Sequence, residues 1–392
     1  MQTLIELYDE RPIENVLAME VFRPAEVVFL CPAEAAQDRA MQEKLREYTK
    51  KQGLDTRLTF LETSPYRADR VKRQLRRVVE THPDCALDIT GGTDAALFAG
   101  GLLCAEASIP VFTFSRKRNR FYNISGADFA DELLCSVEHN VEDVFLMAGG
   151  ALRPGRVDND LLPHYLPKID ALFGIYLRYR REWARLVTYI QRLSQCPPDA
   201  EPPLHAEGPW EVKGEQGKRV EAPEPALRDL ARAGFLRRLR IRRGEHVAFD
   251  FRDAQIRWWL RDVGSALELH VYKACLDTGI FHDVRSSVVV DWAGEGRRDS
   301  VTNELDAVAV RGVTPLFVSC KTCAVSTDAL NELAILRDRF GGAAARAAIV
   351  TAEYCRAVTR HRAAALDIDV IDIADLRAGA VSERLRAIMD RE

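Results

Sequence analysis

Along the first ~125 residues, short apolar runs alternate with longer stretches in which charged residues recur at helical spacing. Glu26–Cys31 is nearly all apolar, the pattern of a strand covered on both faces. A charged helical stretch over 35–52 leads to a strand over Thr56–Leu61 and a basic amphipathic helix over about 66–80. Cys85–Thr90 is another buried strand. It runs through Gly91-Gly92 into an apolar helix over 93–107, with later strands at Ile109–Ser115 and Phe121–Ile124. Strands alternating with helices predict a parallel α/β sheet of Rossmann-like design.

Beyond that region the pattern changes twice. Residues 159–194 carry helical periodicity, and Cys196–Gly217, rich in Pro, Gly and acids, reads as a loop or linker. Helix, strand, an Arg243-Gly244 turn and strand follow over 224–251, the order of a small winged-helix-like module or a plain helix–ribbon connector. The last ~130 residues predict a helix over about 254–276 and strands near 286–292, 301–310 and 315–321. Then come helix (327–340), strand (346–351), helix (353–365) and strand (368–372). This is the layout of a restriction-endonuclease-like α/β core. The expected division is 1–150, 151–253 and 254–392, since 392 residues are too many for one ordinary core.

Composition narrows the functional classes. The chain is 47% apolar and 29% charged, as in a globular protein, and no apolar run approaches the ~18–20 residues that span a bilayer. Met1–Glu14 is acidic and lacks a signal-peptide pattern, so a cytoplasmic location with no membrane partner is expected. Nine scattered cysteines read as reduced thiols, and Cys320-x-x-Cys323 has no second pair to complete a zinc site. A net charge of −4 excludes a globally basic nucleic-acid binder. Yet 178–192 hold five arginines against one acid, and 228–243 hold seven against one. These runs are either local phosphate-binding surfaces or solvated faces. With no G-x-G-x-x-G after the Glu26–Cys31 strand and no Walker lysine, dinucleotides and ATP are disfavoured.

Strand alternation concentrates chemistry in the last unit. Thr302, Glu304 and Asp306 fall on one face of Val301–Val310; after the Arg311–Pro315 hairpin, Ser319 and Lys321 share a face. Paired in register, Asp306 and Lys321 meet inside apolar sequence, where an unpaired charge is costly. Either they form a buried salt bridge, or Asp306 holds a divalent cation, Mn²⁺ or Mg²⁺, that activates water. Lys321 would then position that water or neutralise charge developing on a phosphate. Glu268, an acid in the mostly apolar run Ala266–Tyr272, is the third candidate.

Asn303-Glu-Leu-Asp306 followed by Val318-Ser-Cys-Lys321-Thr resembles the PD-(D/E)xK signature of nucleases. More narrowly, it resembles the nucleases of type III CRISPR systems that carry a CRISPR-associated Rossmann-fold (CARF) sensor, which Asn331-Glu-Leu and Phe340-Gly-Gly342 also fit. The resemblance implies Glu268, Asp306 and Lys321 as active-site residues. The acidic position two residues before Lys321 is Ser319, a poor metal ligand. Glu268, Glu304, Glu332 or the Cys320 carbonyl could complete the metal set; otherwise the site is degenerate and the domain only binds nucleic acid or a partner.

Asp88-Ile-Thr-Gly-Gly-Thr-Asp94 resembles the ligand loop of CARF domains, and Arg11–Leu17 and Val141–Phe145 resemble the same nucleases. What this implies is a homodimer that holds a cyclic oligoadenylate, commonly cyclic tetra-adenylate, across its two-fold axis and cleaves DNA or RNA. The implied ligand contacts are Thr90, Gly91, Gly92 and Thr93, with Pro32, Ala33 and Glu34 in the Pro32–Gln37 loop; Arg116 and Lys117 could add phosphate charge. Two other readings stay open: a sensor that itself degrades the cyclic ligand, and a winged-helix regulator of duplex DNA.

Overall fold

The computed structural model describes residues 1–9, 12–116, 118–155, 157–197, 201–214, 217–292, 300–342 and 345–391; Arg11 and Lys117 lie outside these. The first sheet contains β1 (Thr3–Leu7), β2 (Glu26–Cys31), β3 (Arg57–Glu62), β4 (Cys85–Asp88), β5 (Val111–Ser115) and β6 (Arg120–Ser125), in the order β3-β2-β1-β4-β5-β6. All are parallel except β6, which turns back against β5. Helices α1 (Leu17–Phe22), α2 (Ala33–Gln37), α3 (Arg39–Lys51), α4 (Ala68–Thr81) and α5 (Asp94–Ala107) connect the strands. Leu17, Met19, Leu45 and Tyr48 of α1 and α3 cover one face; Val71, Leu75, Val78 and Leu103 of α4 and α5 cover the other.

β1 is the strand that periodicity misses. Thr3–Leu7 is short and carries Glu6, yet it lies mid-sheet with all five residues buried. The Pro32–Gln37 segment therefore follows the second strand. The helix expected over 35–52 breaks at Asp38, whose side chain accepts the Met41 N–H at 3.0 Å and caps α3.

The chain then leaves this sheet. α6 (Val141–Met147) packs Phe145 against Phe317 and Phe340, and β7 (Ala151–Arg153) becomes an edge strand of the C-terminal sheet. α7 (Leu166–Arg178) and α8 (Trp183–Leu193) form the helical stretch. The segment expected as a loop over Cys196–Gly217 instead contains β8 (His205–Pro209) and β9 (Glu211–Lys213), and β9 pairs with β10 (Arg219–Glu221). α9 (Glu224–Arg232) precedes the hairpin of β11 (Leu236–Arg242) and β12 (His246–Phe251), which β8 joins in the order β11-β12-β8. Tertiary pairing overrides local composition there.

One expected helix is two, α10 (Ala254–Trp259) and α11 (Ser265–Asp277). The break is made by Asp262, whose Oδ1 accepts the N–H groups of Gly264 (2.8 Å) and Ser265 (3.0 Å). The C-terminal sheet has the order β17-β16-β15-β14-β13-β7. Within it, β13 (Asp283–Asp291), β14 (Thr302–Arg311) and β15 (Thr314–Lys321) form an antiparallel meander. α12 (Thr327–Phe340) then leads to β16 (Arg346–Thr351), and α13 (Ala357–Ala365) to β17 (Asp369–Ile371), both parallel additions. α14 (Ile373–Ala378) and α15 (Val381–Asp390), which the sequence pattern does not announce, close the fold.

A single core runs from α7 and α8 through β12 into α11, one face of the C-terminal sheet and α15. The tip of the β14–β15 hairpin, Val313, is buried in the core of the first sheet. Among the described residues, no helix is long and apolar enough to cross a membrane.

Candidate active site and ligand cleft

The β14–β15 ladder ends at the Ala307–Val318 pair. One residue further, the Asp306 carboxylate takes over the bonding: Oδ2 accepts the Cys320 N–H at 2.6 Å and the Ser319 hydroxyl at 3.2 Å. Ser319 thus donates to Asp306 instead of adding a second acid. Glu268 enters from the first turn of α11. A Cβ at Gly264 would collide with its Oε1, so a side chain there would displace the carboxylate from where it folds back beside Asp262.

The electrostatics tie these groups together. Burial, then the negative charges of Asp306, Asp262 and Glu304, push the Glu268 carboxyl up to about 8, against the pull of Lys321. Burial also raises the Asp306 carboxyl, with the Cys320 N–H, Lys321 and Ser319 opposing it. The Cys320 thiol is pushed well above its ordinary value by burial, Asp306 and Glu268, and stays protonated.

Glu268, Asp306, Cys320 and Lys321 are therefore neighbours, as the sequence pattern expects. Of the alternative acids, Glu304 also acts on this group while accepting the Ser287 hydroxyl; Glu332 is engaged instead by the Asn303 amide at 2.7 Å. Strand alternation does not point to Asp262, although an acid just ahead of a helix start is a visible capping signal.

Among the described residues, no three acidic, histidine or cysteine side chains converge as a complete metal cage. The donor chemistry still fits an ion of the magnesium type, which binds through one or two carboxylates and keeps several waters. The acids around Glu268 outnumber the single lysine, an excess of negative charge that a divalent cation would relieve.

A second site lies beyond the carboxyl ends of β1, β2 and β3, next to the β1–β4 junction, where doubly wound sheets bind ligands. This cleft, about 1240 Å³, is lined by Tyr8 and Asp9, by Pro32, Ala33 and Glu34, by Thr63 to Tyr66, and by Gly92 and Thr93. Gly92 has φ +97°, and a Cβ there would come within 2.6 Å of the Leu7 Cβ. Its N–H donates to Asp9 at 3.1 Å. Thr93 caps α5, accepting the Ala96 N–H at 3.3 Å while its hydroxyl donates to the Pro65 carbonyl at 2.9 Å.

The other expected contacts sit elsewhere. Thr90 donates its hydroxyl to Asp88 and accepts the Phe114 N–H at 2.8 Å, bolting the end of β4 to β5. Gly91 is buried against Leu7 and Asp9. Arg116 lies beside Gly342 of the C-terminal sheet region. Positive charge in the cleft comes instead from Arg70, Arg73 and Arg77 on α4, with Tyr66 exposed at the rim. Their i, i+3, i+7 spacing is legible in the basic amphipathic stretch. That it faces the cleft follows from Val71, Leu75 and Val78 facing the sheet.

Residues 259–389 match the family model of the Card1-like endonuclease domain. The C-terminal unit is therefore similar to Card1-like endonuclease domains. The matched region contains Glu268, Asp306 and Lys321. Over the whole chain the fold is that of protein VC1899 from Vibrio cholerae, with TM-score 0.76 and 18% identity over 99% of each chain. It is equally that of Can2 from Sulfobacillus thermosulfidooxidans, solved in complex with cyclic tetra-adenylate, with TM-score 0.71 and 15% identity over 100% of this chain and 98% of that one. A type III CRISPR defence DNA nuclease activated by cyclic oligoadenylate aligns with 97% of this chain but 51% of its own, at TM-score 0.52 and 16% identity. No curated protein sequence matches. The fold is thus a Rossmann-like α/β unit, a winged-helix-like connector and a restriction-endonuclease-like α/β domain.

Proposed function

We propose that this chain is a cyclic-oligoadenylate-activated, divalent-metal-dependent endonuclease of DNA or RNA that acts as a homodimer in type III CRISPR defence. The observation that carries the reading is the group of partly buried acids around Glu268 and Asp306, with Lys321 beside them, in a Card1-like endonuclease domain. Glu268, Asp306 and the Cys320 carbonyl are the residues that would hold Mn²⁺ or Mg²⁺, which supplies Lewis acidity and a water of lowered pKa. The Asp306 carboxylate is oriented by the Cys320 N–H and Ser319, and Lys321 offsets negative charge developing on a phosphate.

The activator we assign to the cleft is cyclic tetra-adenylate, in keeping with the ligand named for Can2. Arg70 and Arg77, with no acidic partner among the described residues, suit its phosphates; the free N–H groups at the start of α5 add to them, and Tyr66 suits an adenine. A second copy would close the cleft. The outward face of α5 supports this, since Phe98 (64% exposed) and Leu102 are apolar and uncovered. Nine cysteines without a disulfide suit a reducing cytoplasm.

The test mixes protein with labelled single- and double-stranded DNA and RNA, with and without Mn²⁺ and cyclic tetra-adenylate. Cleavage should require both additions and fall at least ~1000-fold in Asp306→Ala. Ser319 in the acidic position favours one rival, a sensor whose C-terminal domain only binds. Ligand binding without cleavage by wild type would select it.

A further inference from the structure

The loop after β16 borders the Card1-like site and presents a bare aromatic ring. Thr351 pairs with Lys321 across the β15–β16 ladder, and the Ala352 N–H donates to the Lys321 carbonyl at 2.9 Å. Tyr354 stands three residues past Thr351, at most roughly 10 Å of extended chain. Both sides of the loop are pinned. Arg180, in the turn between α7 and α8, donates to the Ala352 carbonyl at 2.8 Å and pairs with Glu353. The Cys355 N–H donates to buried Asp372 at 3.1 Å, and Cys355 is itself buried.

Between these anchors Tyr354 is 72% exposed and Val358, on the first turn of α13, is 83% exposed. No hydrogen bond or ring contact engages the Tyr354 side chain among the described residues. Arg181 and Arg185, close in sequence to Arg180, are exposed and have no acidic partner there either. An uncovered ring on a loop pinned at both ends, with exposed arginines next in the chain to one of the anchors, is the kind of arrangement that stacks a base and tracks its backbone.

We propose that Tyr354 is a strand-positioning residue, its ring stacking on an unpaired base near the scissile phosphate while Arg181 and Arg185 hold flanking phosphates. Paired bases hide their faces inside a duplex, so this contact selects single-stranded or locally unpaired substrate. The inference rests on the nuclease reading above, and binding separates the two.

The experiment uses full-length protein with cyclic tetra-adenylate and a chelator, so that nothing is cleaved. Fluorescence anisotropy follows a labelled single-stranded oligothymidylate and a labelled duplex. Tyr354→Ala should weaken single-strand binding about 10-fold, Tyr354→Phe should stay within about two-fold, and duplex binding should not change. An abasic nucleotide at the stacking position should erase the difference between wild type and Tyr354→Ala. Equal single-strand affinity in wild type and Tyr354→Ala, or an equal loss on duplex, overturns the inference and leaves the nuclease reading standing. Wild type that binds neither nucleic acid also overturns the inference, while the nuclease reading stands or falls on the metal-dependent cleavage above.

Discussion

At the scale of single residues, the candidate site is defined by charge that is not fully compensated. Glu268 shows the consequence. Its carboxyl sits at about 8 instead of 4.5, chiefly because it is buried and then because Asp306, Asp262 and Glu304 repel its charge. A carboxyl raised on folding favours the native state fully below its ordinary value, and that contribution is lost as pH rises through about 8. Glu268→Gln removes the dependence. In chelator, the variant should match wild type near pH 5 and melt about 5 °C higher near pH 9, read by differential scanning calorimetry. Equal melting temperatures at both pH values would mean that Glu268 ionises freely.

At the scale of elements, strand ends and helix starts place the functional groups. The β4–α5 turn is one such place. Gly92 is in the left-handed region with Leu7 against it, so Gly92→Ala adds both backbone strain and a collision. The expected cost is about 1–3 kcal/mol by denaturant titration, with weaker binding of cyclic tetra-adenylate by calorimetry because α5 must shift away from β1. A variant with wild-type stability and affinity would count against this placement of the turn. At the start of α11, Gly264 leaves room for the Glu268 carboxylate to fold back toward Asp262.

At the scale of the whole molecule, the first sheet and the site strands are mechanically joined. Val313, at the tip of the β14–β15 hairpin, is 3% exposed within the core of the first sheet. The His139 N–H donates to the Gly312 carbonyl at 3.0 Å, and His139 Nε2 lies 2.9 Å from the Tyr48 hydroxyl and 2.8 Å from Glu20. α1, α3 and the hairpin that carries Asp306 and Lys321 thus share one buried junction. Val313→Ser should cost about 1–2 kcal/mol of stability and leave ligand affinity unchanged, while ligand-stimulated cleavage falls several-fold. Stimulation that survives intact would place the coupling elsewhere.

Much of this was legible in the sequence. Periodicity alone locates β2, the meander β13–β15 and α12, because strands buried on both faces and amphipathic helices write their environment directly into hydrophobic order. Alternation put Asp306, Ser319 and Lys321 on facing strands, and a helix acid upstream singled out Glu268. What local pattern could not supply is pairing and partnership. β1 and β8 exist because neighbouring strands satisfy their backbone groups, which no short window of sequence reveals. The same holds for charge. Arg70, Arg73 and Arg77 face the cleft because of how α4 packs; Arg116 is carried away from it by its position after β5; and Tyr354 matters only because β16 lies beside β15. Sequence determines which faces must be buried and which chemistry is on hand, whereas only long-range packing decides which of those groups meet.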